Sequence, residues 1–342
     1  MAGFSRTRRA LLAGVATLAG AFAMAGPASA QTKDVKFMLD WFMQGTHAPV
    51  YTALDKGYFK QGGVNAIIEP GKGATNVAVS IASGADQFGM VDLPALILFN
   101  ARNPGKELVA VYMNYDTTAL AIVARKSANI NKPEDMAGKK IAGAPGTAAR
   151  DAIGLIASPE LQSKIQWMPI AAQLNGQMII KGEVDALSGF TNSQIPAALE
   201  AGMKMEDLTV LKFSDYGPKM YGLTIATTKE YLDANPEIVR AVVKAINKGL
   251  IDAIKSPDEA LKSIQSRDKM MNASIERTRL GIALNHVDTE TTKKSGLNSV
   301  TKERLQETID AVASVYKIEK PPTVDRIYDG RFEPPASERT YN

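Results

Sequence analysis

The sequence predicts an α/β fold divided into two lobes. From about residue 35 to residue 227, apolar runs of strand length alternate with segments of helix length, an order typical of a mainly parallel sheet with helices on both faces. The chain has 342 residues, more than one hydrophobic core usually holds. Polar, aromatic connections at 114–118 and 214–218 separate two such units, which predicts two lobes with a hinge and a ligand cleft between them.

The first 30 residues have the composition of an export signal. Three arginines within 6–9 precede an apolar run too short to span a bilayer with its flanks, and a small-residue cleavage site follows at 28–30. We predict cleavage between Ala30 and Gln31 and export to the periplasm. The arginine pair also fits, loosely, a twin-arginine signal, so the Sec and twin-arginine routes both stay open. The predicted domains are 1–30 as signal peptide, 31–117 together with 222–342 as the first lobe, and 118–221 as the second lobe.

Composition excludes several classes of function. Without the leader arginines, 37 basic residues face 36 acidic ones, so the charge does not indicate nucleic-acid binding. No later apolar stretch is long enough to cross a membrane. The absence of cysteine excludes disulfides and thiolate sites, and the presence of two histidines excludes a multi-histidine metal centre. We therefore expect no cofactor, no metal and a monomer that rests on a large apolar core.

Periodicity and capping signals predict the elements in order. The helix at 48–56, for example, has Thr46 as N-cap, Pro49 in its first turn and Gly57 just past its end. The predicted strands are 35–39, 65–69, 88–91, 108–113, 120–124, 140–142, 165–170, 184–187, 208–213 and 221–227. The predicted helices are 48–56, 73–82, 94–103, 148–157, 174–181, 192–201, 236–255, 258–265, 274–284 and 301–316, with a short helical turn at 132–138. The helical last third needs an apolar surface and is expected to return to the first lobe. Whether the proline-rich tail, 320–342, packs or frays stays open.

The loop after the first strand concentrates recognition chemistry. Asp40, Trp41, His47 and Tyr51 lie within twelve residues, at the carboxyl edge of the predicted sheet, where α/β proteins usually hold ligands. Each residue also has a structural interpretation: Trp41 as core, Asp40 as a loop cap and His47 as a hydrogen-bonded structural residue. Together they predict one wall of a binding cleft, with an aromatic ring of the ligand stacked on Trp41.

Two further candidates lie where helices begin. Asp92 precedes Pro94 and either caps that helix or faces ligand. Gly146 and Thr147 open the helix predicted at 148–157, whose free N–H groups favour an anion such as a carboxylate or sulfonate. The alternative for Thr147 is a plain N-cap.

The remaining candidates come from the second lobe and the hinge. Phe190 and Asn192 lie just after the end of a predicted strand, and the amide of Asn192 offers both a donor and an acceptor. Tyr115, Tyr216 and Tyr221 lie near the hinge, where an aromatic side chain either covers the cleft or packs the hinge itself. Because most of these candidates are aromatic, we expect an aromatic, partly polar ligand.

One signature resembles a known family. Asp40-Trp41-Phe42-x-x-x-x-His47-Ala48-x-x-Tyr51, followed by Lys56-Gly57-Tyr58-Phe59, is similar to the opening signature of the periplasmic nitrate/sulfonate/thiamine-pyrimidine solute-binding proteins of ABC importers. Further matches occur at Gly84-Ala-Asp-x-x-Gly89, at 132–141 and at Gly182-x-Val-Asp-Ala186. The resemblance extends from about residue 35 to residue 255. It implies a type II-like periplasmic-binding-protein fold, a small-molecule ligand and a membrane permease as partner.

The sequence also departs from the family pattern. Met43-Gln44 replaces the Pro-Asn that usually follows Trp-Phe. Gln194 stands where the pyrimidine-binding branch tends to have glutamate, which weakens a preference for a protonated or amino-bearing pyrimidine. The resemblance therefore supports the family better than any one ligand.

These observations predict a binding protein that captures a small organic solute by lobe closure and delivers it to a permease. We expect the solute to be aromatic or heteroaromatic, pyrimidine-like or acidic. One alternative is an enzyme on the same fold, of the pyrimidine or quinone-pathway type, with Asp40 and His47 as an acid/base pair. Export and the absence of cysteine oppose it. A periplasmic sensor subunit with the same site is the other alternative.

Overall fold

The computed structural model describes residues 32–341, so the predicted signal peptide lies outside the described residues. Ten strands form two five-stranded sheets, ordered β2-β1-β3-β10-β4 and β7-β6-β8-β5-β9. In chain order, strands β1 to β10 are Lys33–Met38, Val64–Glu69, Phe88–Asp92, Leu108–Met113, Leu120–Arg125, Lys140–Ala142, Gln166–Met168, Ala186–Phe190, Leu208–Lys212 and Leu223–Thr228. Each sheet is built largely from one continuous stretch of chain, as a two-lobed fold requires.

One strand in each sheet runs against its neighbours. β10 pairs antiparallel with β3 and β4, and β5 pairs antiparallel with β8 and β9, while β1–β3 and β6–β8 are parallel. The reversed strands are the first strand after each crossing of the chain between the sheets. The expectation of mainly parallel pairing is therefore wrong for β5 and β10, which enter their sheets from the side of the other sheet.

The two crossing segments are hydrogen-bonded to each other. The N–H groups of Asn114 and Tyr115 both donate to the carbonyl oxygen of Leu223, at 2.8 and 2.9 Å, and Thr118 N–H donates to Met220 O at 3.0 Å. The first crossing lies where the sequence predicts it. The second lies at 217–222 rather than at 214–218, because Phe213–Tyr216 forms a helical turn.

Seventeen α-helices of very different length cover the sheets in the described chain. Helices α1 to α17 are Ala48–Asp55, Tyr58–Gln61, Ala74–Ala82, Leu93–Arg102, Ala148–Asp151, Pro159–Lys164, Asn175–Ile180, Thr191–Glu200, Phe213–Tyr216, Lys229–Ala234, Pro236–Lys255, Pro257–Gln265, Ala273–Asn285, Glu290–Ser295, Lys302–Tyr316, Val324–Ile327 and Ala336–Arg339. The helix predicted at 148–157 is shorter than expected: α5 ends at Asp151 and a 3-10 turn follows at Ile153–Leu155. No helix within residues 32–341 is both long and apolar enough to cross a membrane.

The C-terminal third contacts the segments that form both sheets. As predicted, α11 and α12 pack on α1, beside the first sheet. However, α13 lies against α8, and α15 packs on α4 while reaching the 3-10 turn after α5. The tail packs: Tyr328 forms a β-bridge with Ala110 of β4, and Tyr341 is buried. The last third of the chain therefore covers the first sheet and also contacts the part of the chain that forms the second sheet.

Candidate functional site

Three polar side chains leave one edge of the first sheet. β1 and β3 are parallel with Met38 opposite Gly89, so Asp40, just past β1, and Asp92, the last residue of β3, emerge at the same edge. Asp92 pairs with Leu223 of β10, and the carbonyl of Leu223 accepts the N–H of Tyr115. Strand register thus places Asp40, Asp92 and Tyr115 side by side, at the edge that faces the crossing segments.

Asp92 is a buried carboxylate without a hydrogen-bond partner. Its side chain is 4% exposed, and its Oδ2 atom contacts no donor among the described residues. It stands at the N-cap position of α4 but makes no side-chain cap, so the capping interpretation is wrong. Burial, and then the charge of Asp40, raise the pKa of Asp92 to about 7. Asp92 therefore exchanges a proton near neutral pH.

His47 orients Asp40. The imidazole is completely buried, and its Nε2 lies 2.7 Å from Asp40 Oδ1. Nδ1 accepts the N–H of Gln44 at 3.2 Å, so the neutral ring carries its proton on Nε2 and donates it to Asp40. With both ring nitrogens engaged inside the protein, His47 holds the loop and fixes one oxygen of Asp40. This arrangement corresponds to the structural interpretation of His47.

Trp41 lies beside a second loop that only glycine can build. Gly71 N–H donates to Trp41 O at 3.1 Å, and Gly73 N–H donates to Asp40 O at 2.9 Å. A Cβ on Gly71 would stand 1.8 Å from Leu39 O, and Gly73 has φ +106°, so both positions require glycine. The Trp41 ring lies beside Gly73 and meets Phe42 edge to face, with ring centroids 5.4 Å apart. Trp41 remains partly exposed at the site.

Phe190 and Asn192 approach from the second sheet. Phe190 ends β8 and packs against two large apolar clusters, one that includes Phe37 of β1 and one that includes Leu120 of β5. Asn192, in the first turn of α8, donates from Nδ2 to Tyr115 Oη at 3.4 Å. Its Oδ1 is buried and has no partner in the described chain. The structure thus brings Asn192 and Phe190 to the edge that carries Asp40, Asp92 and Tyr115.

Gln194 has a hydrogen-bond partner of its own. Its side chain folds over Gly189, and its Oε1 accepts a 2.9 Å hydrogen bond from Asn175 Nδ2. The amide of Gln194 therefore has a structural partner, Asn175, which lies along the chain between β7 and β8 of the second sheet.

Helix α13 contributes two residues that the sequence did not predict. Arg279 Nη1 donates to the carbonyl oxygen of Asn192 at 2.9 Å and pairs with Glu276 at 3.1 Å. His286, just past the helix, lies 2.7 Å from Thr191 Oγ1 and stacks on the Tyr115 ring at 5.7 Å between centroids. Burial lowers the pKa of His286 to about 4, so the ring is neutral. Arg279 lies on a helix without a local motif and His286 just after it, both far along the chain, and no sequence signal marks them.

Tyr316, also missed, lies close enough to Asp92 for the two groups to interact electrostatically. It is the last residue of α15, and burial followed by the charges of Asp151 and Asp92 raises its pKa. Val315, the residue before it, approaches Gly154, which lies between β6 and β7 of the second sheet. The end of α15 therefore lies close to Asp92 of the first sheet and also contacts the part of the chain that forms the second sheet.

Three predicted tyrosines lie elsewhere. Tyr51 is buried in the apolar cluster that includes Phe37 of β1, under the guanidinium of Arg267 at 4.6 Å. Tyr221 is buried under Arg304, at 4.0 Å, so it corresponds to the hinge-packing alternative. Tyr216 is 45% exposed and donates to a backbone carbonyl, Asn131 O, at 3.1 Å. None of the three is brought to Asp40 and Asp92.

Gly146 and Thr147 are exposed and locally satisfied. Asp151 accepts the N–H of Gly146 at 3.2 Å, and Thr147 donates its hydroxyl to Ala144 O at 2.7 Å without capping α5. The Asp151 carboxylate folds back to the N-terminal side of this four-residue helix, so the helix does not favour an anion. Within residues 32–341, no group of three or more His, Asp or Glu side chains is placed to hold a metal ion.

Comparison with known proteins identifies relatives of two kinds. A family model described as NMT1/THI5 like matches residues 44–260. The chain is 24% identical over 286 residues to the formylaminopyrimidine-binding protein of Halalkalibacterium halodurans, covering 81% of this chain and 84% of the relative. It is 26% identical over 246 residues to a 4-amino-5-hydroxymethyl-2-methylpyrimidine phosphate synthase of Saccharomyces cerevisiae, covering 68% of this chain and 70% of the relative.

The fold is that of the periplasmic binding proteins, as the sequence predicted. The structure superposes on the periplasmic aliphatic sulphonate-binding protein of Escherichia coli with a TM-score of 0.64 and 15% identity. The match covers 85% of this chain and 93% of that protein.

Proposed function

Because this chain belongs to the NMT1/THI5-like family, we propose that it is the periplasmic substrate-binding component of an ABC importer. It captures a small aromatic or heteroaromatic solute between two lobes and delivers it to a membrane permease. The observation that carries the proposal is the meeting of Asp40, Asp92 and Tyr115 from one sheet with Asn192 from the other, beside the partly exposed Trp41.

The lobes are 31–117 with 222–342, and 118–221. The strand orders support this division, since the first sheet takes β1–β4 and β10, and the second takes β5–β9. The mutually hydrogen-bonded segments at 114–119 and 217–222 act as the hinge. The ligand contacts are Asp40, Trp41, Asp92, Tyr115, Phe190 and Asn192.

Delivery to a permease requires export, and the leader at 1–30 supplies the signal for it. We expect the mature chain to act as a monomer in the periplasm, without catalytic activity of its own. A relative named as a pyrimidine-binding protein that is covered over 84% of its length supports this assignment.

An enzyme remains the second candidate, because several relatives are named as pyrimidine phosphate synthases. The Asp40–His47 pair, at 2.7 Å, is the obvious acid/base couple. Its geometry favours binding instead, since the buried imidazole uses both nitrogens inside the protein and presents neither to a ligand.

A thermal-shift panel tests the proposal. The mature protein is heated with nitrate, alkanesulfonates, aminopyrimidines, carboxylated aromatics and riboflavin-like compounds, and a bound ligand raises the melting temperature by mass action. Each stabilising compound is then incubated with the protein and analysed for products. Stabilisation by an aromatic class without turnover supports the proposal, whereas product formation supports the enzyme.

A further inference from the structure

We propose that Asp92, Asp40 and Asn192 form an acceptor subsite for a cationic, N–H-donating group on an aromatic ligand, and that Asp92 is deprotonated in the complex. This inference rests on the proposed function and names the chemical class of its ligand. Among the solutes compatible with the fold, it selects amino- or amidino-substituted aromatic cations over sulfonates and carboxylates.

Unused acceptors carry the inference. Asp92 Oδ2 and Asn192 Oδ1 are both buried, in side chains that are 4% and 6% exposed, and neither has a partner among the described residues. Buried acceptors without donors are costly, and protein interiors rarely leave them so. They lie on opposite sheets, joined through Tyr115, whose hydroxyl receives the Asn192 amide. A ligand N–H group between the sheets supplies the missing donor to each.

The charges nearby favour a cation. Asp40 follows β1 and Asp92 ends the adjacent strand β3, and Asp40 has one oxygen engaged by His47, which leaves the other oxygen available. The guanidinium that reaches Asn192, that of Arg279, is already committed to Glu276 and to the Asn192 carbonyl. An anionic ligand would add negative charge beside two carboxylates and bring no donor to either orphaned oxygen. A cationic N–H group is attracted by the two carboxylates and supplies donors to the unpaired oxygens.

This arrangement compensates for the glutamine in the second lobe. Gln194 weakens, in the sequence, the expectation of an amino-bearing ligand, but its side-chain oxygen is bonded to Asn175. The carboxylates come from the first sheet instead. Loss of the glutamate therefore does not remove acidic recognition from this protein.

Proton exchange at Asp92 follows from its surroundings. Among residues 32–341, the titratable groups that act on Asp92 or feel its charge are Asp40, Tyr115 and Tyr316, and none of them is a cation. Because the pKa of Asp92 is raised to about 7, the carboxyl is partly protonated in the free protein at neutral pH. A bound cation favours the ionised form, so binding releases the proton to solvent.

Isothermal titration with three matched probes tests the inference. Benzamidine is a planar cation with N–H donors, benzamide is its neutral counterpart, and benzenesulfonate is an anion of similar size. We expect benzamidine to bind the wild-type protein at least tenfold more tightly than benzenesulfonate. Its affinity should rise about tenfold from pH 6 to pH 8, the change in the ionised fraction of a group whose pKa is about 7. Titration in buffers of different ionisation enthalpy at pH 7 should show about half a proton released per benzamidine bound.

Asp92→Asn and a matched control decide the assignment. Asp92→Asn should weaken benzamidine at least tenfold at pH 8 and abolish the pH dependence. Asp86→Asn is the control, because Asp86 is also buried, with one orphaned oxygen, but precedes β3 at the opposite end of the strand. It should leave benzamidine affinity unchanged.

Two results would overturn the inference. If benzenesulfonate or benzamide binds and benzamidine does not, the acceptor subsite is wrong while solute binding stands. If benzamidine binds with the same affinity and pH dependence in Asp92→Asn, the cation is held elsewhere. Failure of the proposed function is recognised separately, by product formation or by the absence of stabilisation across the thermal-shift panel.

Discussion

Arg279 Nη1 donates a 2.9 Å hydrogen bond to the carbonyl oxygen of Asn192, so a helix of the C-terminal third holds the first turn of α8. The same guanidinium pairs with Glu276, whose carboxylate also accepts the N–H of Gly45. One arginine thus connects the segment before α1, the helix α13 and the first turn of α8.

Arg279→Ala should lower the free energy of unfolding by about 3–5 kcal/mol, because it leaves the buried Glu276 without its cation. Arg277→Ala is the control: Arg277 pairs with Asp258 on the surface, and its loss should cost less than about 1 kcal/mol. Urea unfolding of both variants measures the difference. Equal effects would mean that Arg279 has no special part in joining the segments.

Asp92→Asn should change how stability depends on pH. The pKa of Asp92 is raised from 3.8 to about 7, so the folded chain keeps a proton that the unfolded chain loses. The wild-type protein therefore loses stability from this group as pH rises from about 4 to 7, and the loss levels off above 7. The Asp92→Asn variant has no carboxyl at this position, so it does not lose stability through this ionisation. The stability of Asp92→Asn relative to wild type should rise by up to about 4 kcal/mol between pH 4 and pH 8.

Urea unfolding of the ligand-free proteins at pH 4.5, 6 and 8 checks this prediction. The difference in unfolding free energy between variant and wild type depends on pH through the titration of the Asp92 carboxyl. Comparing the two proteins therefore separates this contribution from those of the other titrating groups. A difference that stays constant over this range would show that Asp92 is ionised throughout.

Trp41→Ala should weaken binding of the aromatic ligand at least tenfold and leave the protein folded. Trp41 is partly exposed beside Gly73, so its removal costs little core packing but takes away the stacking surface. Phe42→Ala, at the neighbouring and more exposed ring, serves as control and should change affinity less than threefold. Fluorescence or calorimetric titration measures both, and unchanged affinity in Trp41→Ala would make Trp41 a structural residue.

Gly71→Ala should destabilise the protein and loosen the Trp41 loop. The new methyl group would stand 1.8 Å from Leu39 O, a contact that only backbone movement relieves. We expect a loss of roughly 2–4 kcal/mol, in the range for a backbone effect of this kind. Gly281→Ala is the opposite case: it lies in α13 with a flexible arginine tip 3.6 Å away, and alanine should stabilise by about 0.5–1 kcal/mol. Thermal unfolding distinguishes the two directions.

Local pattern predicted most elements. Leu108–Met113, Lys140–Ala142 and Pro236–Lys255 have the predicted bounds, because their apolar periodicity and flanking proline, glycine or charge determine where they begin and end. The helix at 148–157 ends early, at Asp151. Gly154, just beyond it, is where α15 packs: a Cβ added to Gly154 would lie 3.5 Å from the side chain of Val315. Such a distant contact leaves no mark in the local sequence.

The site was predicted in part, for a similar reason. Asp40, Asp92, Tyr115 and Asn192 follow strands, and the strand-end rule brings them to neighbouring edges. Tyr51 and Tyr221 look equally suitable in sequence, but Arg267 and Arg304 from the last third cover their rings. Pairing of side chains across such separations depends on the completed fold.

The position of β10 has a consequence for how the chain acquires its structure. β4 is an edge strand whose sheet partner is β10. Met113 of β4 can pair with Thr224 of β10 only after the intervening chain, which contains β5–β9, has been synthesised. Its other contact, the bridge from Ala110 to Tyr328, waits for the tail. The first sheet therefore closes late, across long chain separations, which slows folding. An N-terminal fragment ending before β10 would expose β4 on both sides, so β4 stays unpaired in its sheet until all strands of the second sheet have been made.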